Sequence, residues 1–337
     1  MLKKILLSVL VFTGSLIAST EVNVYSHRHY DTDKKLFKMF EKETGIKVNV
    51  VKAKASQLIK RLESEGKSTP ADVLITVDVG RLVIAQDKDL LQAVKSDILQ
   101  NSIPSNLKQK DGYWYGLTKR ARVITYNKDK IKPEQLSTYA DLTNPKWNKK
   151  ILIRKSNNIY NQSLLASFIA SDGEMAAKKW AKGMVKNMAR TPSGNDRDQM
   201  KAVAAGVGDL AIVNTYYVGK LLNSKKTKEV EVGKKMGVFF PNQGVGERGA
   251  HINISGAGVV KYSKNKQNAI KFLEFLVSEK AQELFAKANY EYPANPKVKP
   301  SKLLQSWGTF KEDTTPLEAF GKNNANAVKV FNEVGWK

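Results

Sequence analysis

YWYGLTKRARVITYN, residues 113–127, is the stretch that decides the fold. It predicts one long extended segment, which exceeds the length of an ordinary strand. A segment of this length can pass from one lobe of a protein into another. Residues 252–260 predict a second strand, which provides the return crossing.

The sequence before this stretch alternates strands with helices. Strands are predicted at residues 21–26, 46–51 and 71–77, and helices begin at Asp31 or Thr32 and at Ser56. This order is typical of parallel βαβ units. Residues 71–77 (ADVLITV) are almost continuously apolar, which predicts a strand that is buried on both faces.

The alternation continues after the long segment, with further helices and strands up to residue 288. We therefore predict an α/β protein with the two-lobed periplasmic binding protein fold, in which hinge strands join the lobes and a ligand cleft lies between them. The predicted N-terminal lobe contains residues 19–120 and 248–297. The predicted C-terminal lobe contains residues 121–247 and 298–337.

The N-terminus predicts export from the cytoplasm. Two lysines precede a nearly unbroken apolar run at residues 5–18, which is short for a helix that spans a bilayer. Residues 1–18 are therefore predicted to be a secretory signal peptide, cut near Ala18 or Ser19, and the mature protein is expected in the periplasm. A buried N-terminal helix or a membrane anchor is the alternative.

Composition excludes several kinds of site. The chain has no cysteine and only three histidines, which excludes disulfides, zinc–thiolate and iron–sulfur sites and cysteine nucleophiles. The formal net charge of +24 raises the question of nucleic acid or membrane binding. Because the lysines are dispersed and the chain is predicted to be exported, we expect a solvated basic surface and no nucleic-acid partner.

Two predicted strand ends carry tyrosines beside other polar residues. YSHRHY (residues 25–30) ends the first strand, and NTYY (residues 214–217) follows the apolar strand LAIV. Ligands of α/β sheets bind at the carboxyl ends of strands, although a single tyrosine more often serves only packing. Phenols with one imidazole favour ferric iron, because softer metals prefer thiolates or several imidazoles.

These residues resemble the periplasmic ferric-ion-binding proteins of bacterial iron ABC importers. The resemblance covers essentially the whole mature chain and rests on VYSHRHYDTDK, ADVLIT, YGLTKRARVITYN, the segment from SGNDRDQ to NTYYVGKL, and the segment from GAHINIS to NYEYPANP. It implies that His29, Tyr216 and Tyr217 hold iron. In the tyrosine-rich variety of the family, Tyr30 and Tyr160 join them.

Other members use a carboxylate after the ADV strand together with phosphate or carbonate, whereas this sequence has Val77 there. We therefore expect no synergistic anion. A ferric ion with four phenolates and a neutral imidazole leaves one net negative charge, which a nearby cation would balance. The expected surrounding residues are Arg28, Arg120, Asn195, Arg197 and Asn214, with an exposed surface position as the alternative for Arg28.

The resemblance implies that Fe³⁺ is a transported ligand, that an inner-membrane ABC permease is the partner, and that the protein is a monomer and not an enzyme. Three alternatives stay open from the residues alone. They are the same fold binding another solute or an oxyanion, an exported enzyme, and a basic protein that binds DNA or membranes. No GxSxG or HExxH motif is present to favour an enzyme.

Overall fold

The computed structural model describes residues 20–28 and 31–337. The strands are β1 (Glu21–Ser26), β2 (Lys47–Lys52), β3 (Val73–Thr76), β4 (Leu91–Gln92), β5 (Tyr115–Asn127), β6 (Ile151–Leu152), β7 (Leu210–Asn214), β8 (Met236–Phe239), β9 (Ile252–Val260) and β10 (Tyr292–Pro293). The predicted signal peptide lies outside the described residues.

The helices of the first part of the chain are α1 (Asp31–Thr44), α2 (Ala55–Glu65), α3 (Val79–Asp87), α4 (Asp97–Ser102), α5 (Ile159–Asp172), α6 (Glu174–Asn187) and α7 (Asp196–Ala204). Those that follow are α8 (Thr215–Leu222), α9 (Thr227–Lys235), α10 (Lys266–Val277), α11 (Glu279–Asn289), α12 (Lys302–Ser306), α13 (Glu318–Lys322) and α14 (Asn324–Glu333). The sequence patterns did not predict α3, α4 or α9. Within the described ranges, no helix combines the length and apolar character that crossing a membrane requires.

The strands form one mixed sheet in the order β2-β1-β3-β9-β5-β7-β6, with β4, β8 and β10 paired beside this path. β1 lies parallel to β2 and β3, as the βαβ pattern predicted. β5 pairs with β9 from Tyr115 to Ala121 and with β7 from Arg122 to Tyr126. The long segment is therefore one strand that runs through both halves of the sheet.

Two glycines let β9 lie close to the chain around the start of β5. A Cβ atom on Gly258 would lie 2.5 Å from the carbonyl oxygen of Tyr113, and one on Gly256 would lie 2.8 Å from that of Tyr115. No side chain fits at such distances, so glycine is required where these strands approach each other.

Hydrophobic side chains form separate cores on the two sides of this crossing. The first core, around Phe40, Leu74 and Phe272, stops along β5 at Leu117 and resumes on β9 at Ile252. The second consists of two clusters, one around Trp180 and Ile212 and one that begins on β5 at Ala121 and includes Val213. We call the elements around these cores the first lobe and the second lobe.

The C-terminal segment contributes to both lobes. Leu317 and Phe320 belong to the first core, whereas Val330 and Phe331 of α14 belong to the second. The lobe boundaries predicted from the sequence, including the assignment of residues 298–337 to the C-terminal lobe, stay a prediction.

Candidate metal centre

Three tyrosines of the second lobe meet where β7 ends and α8 begins. Asn214 is the last residue of β7, and Tyr216 and Tyr217 lie in the first turn of α8. The phenol oxygen of Tyr216 lies 3.1 Å from that of Tyr160, the second residue of α5. The rings of Tyr216 and Tyr217 lie with their centroids 4.3 Å apart. The fold thus brings together Tyr160, Tyr216 and Tyr217, which are distant in the sequence.

One residue of the first lobe packs against this group. Val77, at the end of the β3 segment, forms a small cluster with Ile159, Tyr160 and Tyr217. The site therefore lies between the two lobes. The other two predicted ligands, His29 and Tyr30, lie outside the described residues.

Arg28, which directly precedes them, is buried in a polar network. Its Nε lies 3.2 Å from Asp33 Oδ2, its Nη2 lies 3.2 Å from Glu291 Oε2, and its Nη1 donates to Thr118 Oγ1 at 3.4 Å. The alternative that Arg28 occupies an exposed surface position is therefore wrong. These contacts hold its guanidinium within the first lobe, and its role towards a metal stays a prediction.

Three guanidinium groups surround the ring of Tyr160. The Cζ atoms of Arg120, Arg122 and Arg154 lie 5.6, 5.8 and 5.6 Å from its centroid, within the range of cation–π attraction. Arg120 was expected near the site, whereas Arg122 and Arg154 were missed. Arg122 could have been found from its spacing, because residues two apart on a strand point to the same face.

Asp196 joins two of these arginines. Its Oδ1 lies 3.1 Å from Arg122 Nη1, and its Oδ2 lies 2.8 Å from Arg154 Nη1. Burial lowers the pKa of Arg154, but the charge and hydrogen bond of Asp196 outweigh this effect and raise the pKa above its ordinary value. Arg122 also donates to Asn161 Oδ1 at 2.7 Å and to Asn214 Oδ1 at 3.0 Å. This network ties α5, α7 and the end of β7 together.

Arg120 is held by the first lobe. Its Nη2 donates to the carbonyl oxygen of Val77 and lies 3.5 Å from Asp78 Oδ2. Asp78 also accepts hydrogen bonds from Ser163 Oγ at 2.8 Å and Asn253 Nδ2 at 2.9 Å. Full burial raises the pKa of Asp78, although Arg120 opposes this effect. Both carboxylate oxygens of Asp78, which follows Val77, therefore already have hydrogen-bond or ion-pair partners.

The two asparagines that were expected near the site, Asn195 and Asn214, differ in their hydrogen bonds. Asn195 caps α7, because its Oδ1 accepts from the backbone N–H groups of Arg197 at 2.9 Å and Asp198 at 3.3 Å. Asn214 accepts from Arg122, but its Nδ2 is buried and has no hydrogen-bond partner among the described residues. Arg120 Nη1 is likewise buried without a hydrogen-bond partner among the described residues. These two donors can serve an oxygen ligand in the site.

Lys220 is a further cation that sequence reasoning missed. Its Nζ lies 5.1 Å from the ring centroid of Tyr216 and 5.9 Å from that of Tyr217. Burial and the charges of Arg28 and Arg197 lower the pKa of Lys220 to about 8, although Glu291 opposes them. The position could have been inferred, because residues three and four apart share a helix face.

Other ligand types are not gathered anywhere in residues 20–28 and 31–337. No group of three or more His, Cys, Asp or Glu side chains there is arranged to hold a metal ion. His251 is buried, with its Nδ1 3.1 Å from Ser167 Oγ.

The chain is similar to proteins that are named for iron uptake or ferric binding. Residues 35–312 match the family described as bacterial extracellular solute-binding protein. The chain is 51% identical over 317 residues to Iron uptake protein A1 of Synechocystis sp., a match that covers 94% of this chain and 88% of that protein. This relative is named for iron uptake, and the two solved structures described next are named for ferric binding or contain bound iron. None of the three is named as an enzyme.

Solved structures give the same result. The Trichodesmium protein called IdiA or FutA, in complex with iron and citrate, has a TM-score of 0.90 and 52% identity, with 94% of this chain and 100% of that chain covered. The ferric binding protein from Campylobacter jejuni has a TM-score of 0.89 and 46% identity, with the same coverage of both chains.

Proposed function

The chain belongs to the family of bacterial extracellular solute-binding proteins, and from this premise we propose that it binds one ferric ion in the periplasm and delivers it to an inner-membrane ABC permease. The fold is the two-lobed periplasmic binding protein fold, a mixed α/β architecture with crossing strands between the lobes. Two lobes that close on a ligand are the usual mechanism of such proteins.

The observation that carries the proposal is the meeting of Tyr160, Tyr216 and Tyr217. Two oxygen ligands of one metal ion, each about 2.0–2.2 Å from it, lie at most about 4.4 Å apart. The separation of 3.1 Å between the phenol oxygens of Tyr160 and Tyr216 satisfies this limit. Phenolates suit a hard trivalent cation, and no cluster of softer ligands competes within the described residues.

The proposed ligand set adds His29 and Tyr30, which the sequence assigns to the predicted N-terminal lobe, so that both lobes bind the ion and closure traps it. Four phenolates and a neutral imidazole around Fe³⁺ leave one net negative charge. Arg120, Arg154 and Lys220 lie around the phenols to balance it. We propose on this ground that no synergistic anion is needed. We also propose that the protein acts as a monomer.

Titration of the purified protein with a ferric salt, without phosphate or carbonate, tests the proposal. It should produce a visible phenolate-to-iron charge-transfer band that saturates at one ion per chain. Changing Tyr216 and Tyr217 together to Phe should abolish the band. Tyr262→Phe is the matched control, because this exposed tyrosine lies away from the three phenols. A folded wild-type protein that gives no band would disprove the proposal.

An oxyanion is the second candidate ligand. The buried donors Arg120 Nη1 and Asn214 Nδ2, which lack partners among the described residues, favour it. Calorimetric titration with phosphate and with citrate, each in the absence of iron, separates the two cases. Tight binding of either anion without iron would support an oxyanion transporter. Iron binding that collapses when phosphate and carbonate are removed would show that the anion-free ferric site is wrong.

A further inference from the structure

A close contact between the lobes lies directly behind the tyrosines. Gly219 of α8 lies in the second lobe, and Tyr290 follows α11 in the first lobe. A Cβ atom on Gly219 would lie 2.5 Å from Cβ and 2.6 Å from Cγ of Tyr290. These distances leave no room for any side chain on Gly219, so the tyrosine packs on the bare helix backbone.

Tyr290 is held rigidly in an unfavourable backbone conformation. Its φ of 57° and ψ of 33° place it in the left-handed region, which is strained for a bulky residue and persists only where the surroundings impose it. The next residue, Glu291, is buried and pairs with Arg28 and Ser255. Tyr292 then pairs with Lys119 of β5. The ring of Tyr290 is therefore a fixed part of the first lobe.

The helical spacing links this contact to the candidate site. Gly219 follows Tyr216 by three residues, about one turn of α8, so a displacement of the helix at Gly219 also displaces the phenols. Lys220, the next residue, lies over both tyrosine rings. A change at this contact would therefore move Tyr216 and Tyr217 together with the helix.

We propose that the packing of Tyr290 on Gly219 fixes the position of α8, and with it Tyr216 and Tyr217, relative to the first lobe when the cleft closes on its ligand. The inference rests on the proposed ferric site and adds two positioning residues, neither of which touches the ion. A small residue at position 219 is required because the lobes meet there without any gap.

The test is Gly219→Ala, measured by iron affinity in competition with citrate. We expect affinity to fall about tenfold or more, since the cost of forcing a methyl group into a packed contact corresponds to factors of about 5 to 150 in an equilibrium constant. The charge-transfer band should keep its wavelength, because the ligands are unchanged. X-ray scattering should show less contraction on iron binding than in the wild type.

Gly183→Ala is the matched control. Gly183 lies in α6, and its Cβ would lie 2.6 Å from Cβ of Thr143, so this contact stays within the second lobe. It should lower thermal stability without changing iron affinity. Adding Tyr290→Gly to Gly219→Ala removes the clash, because glycine has no ring and tolerates the left-handed backbone, so the double variant should bind iron as Tyr290→Gly alone does.

The outcomes separate this inference from the proposed function. A wild-type protein without iron binding would overturn both. A Gly219→Ala variant that binds and contracts like the wild type, or a double variant whose affinity differs from that of Tyr290→Gly alone, would overturn only the inference. If Gly219→Ala does not fold, Tyr290→Gly alone decides, because it should release iron faster than the wild type, and an unchanged rate would overturn the proposal.

Discussion

The ends of β1 and β7 both carry tyrosines beside polar residues, yet their side chains have different surroundings. At the end of β1, Tyr25 donates its phenol hydrogen to Glu65 Oε1 at 2.9 Å and packs under Arg61. At the end of β7, Tyr216 meets the phenol of Tyr160. The first phenol is bound to a carboxylate, whereas the second faces another phenol.

The balance of charge explains the difference. Near β1, one guanidinium, that of Arg28, meets two carboxylates, those of Asp33 and Glu291. Near β7, one carboxylate, that of Asp196, is shared by two arginines. Burial and Glu65 raise the pKa of Tyr25 to about 12, so this phenol stays protonated. Near β7, the guanidinium groups of Arg120, Arg122 and Arg154 lie around the ring of Tyr160. Tyr25 therefore serves stability, whereas Tyr216 belongs to the proposed ligand set.

The largest effect expected from this comparison is the dependence of iron affinity on pH. If Tyr30, Tyr160, Tyr216 and Tyr217 each lose a proton on binding iron, affinity falls about ten-thousandfold per pH unit on acidification. Competition with a chelator of known protonation between pH 8 and pH 6 should give a slope of about four. Tyr216→Phe should lower the slope by one, and a wild-type slope of three or less would contradict the ligand set.

Breaking the charge network at β7 should give the next largest effect. Asp196→Asn leaves the buried Arg122 and the half-buried Arg154 without a carboxylate, which should lower the free energy of unfolding of the apoprotein by about 3–5 kcal/mol. Denaturant unfolding measures this change. Asp209→Asn removes only the partly exposed pairs with Lys130 and Lys150, so it should cost less than about 1 kcal/mol. Equal losses would mean that the network does not stabilise the second lobe.

At β1 the geometry of the cation matters as well as its charge. Arg28→Lys keeps the charge but loses the planar group that reaches Asp33, Glu291 and Thr118 together, so we expect a loss of about 2 kcal/mol in unfolding free energy. Arg61→Lys is the control, because its pair with Glu65 is largely exposed and should change stability by less than about 1 kcal/mol. An unchanged Arg28→Lys variant would show that charge alone suffices.

The smallest effect is expected for Tyr25→Phe. Loss of the bond to Glu65 should cost about 1 kcal/mol at pH 7 and leave iron affinity unchanged. Because the folded-state pKa of about 12 lies above the ordinary value of 10.0, this stabilisation is present below pH 10 and is lost as pH rises towards 12. The stability difference between wild type and variant should therefore shrink over that range. Weaker iron binding by the variant would contradict the division of roles between the two strand ends.

Local patterns predicted much of the fold. β1 and β9 have the predicted bounds, and β5 is extended through Asn127 as expected. The pairing of Tyr216 with Tyr217 also follows from their adjacency after a strand. Tyr160 entered only through the resemblance to a family, because it lies 56 positions from Tyr216.

The charged surroundings of the site could not be predicted in the same way. Arg154 and Arg122 reach Asp196 across 42 and 74 positions, and Arg28 reaches Glu291 across 263. Among 56 lysines and arginines, Arg28 was expected because it lies beside the predicted ligands, whereas nothing in the sequence distinguished Arg154 from solvated ones. Two local patterns were available: Lys220 shares a helix face with Tyr216, and Arg122 shares a strand face with Arg120. Each pattern pointed to the site once Tyr216 and Arg120 had been placed there.

The sequence by itself determined the order of strands and helices, the long crossing strand and the tyrosines after β7, since these depend on hydrophobic periodicity and on strand ends. Only the tertiary structure decided that the phenol of Tyr160 faces that of Tyr216, that Arg28 is buried, and that Tyr290 packs on Gly219. The physical reason is that a periodic pattern records only which face of an element is buried. The partners on that face come from surfaces that meet when distant elements pack.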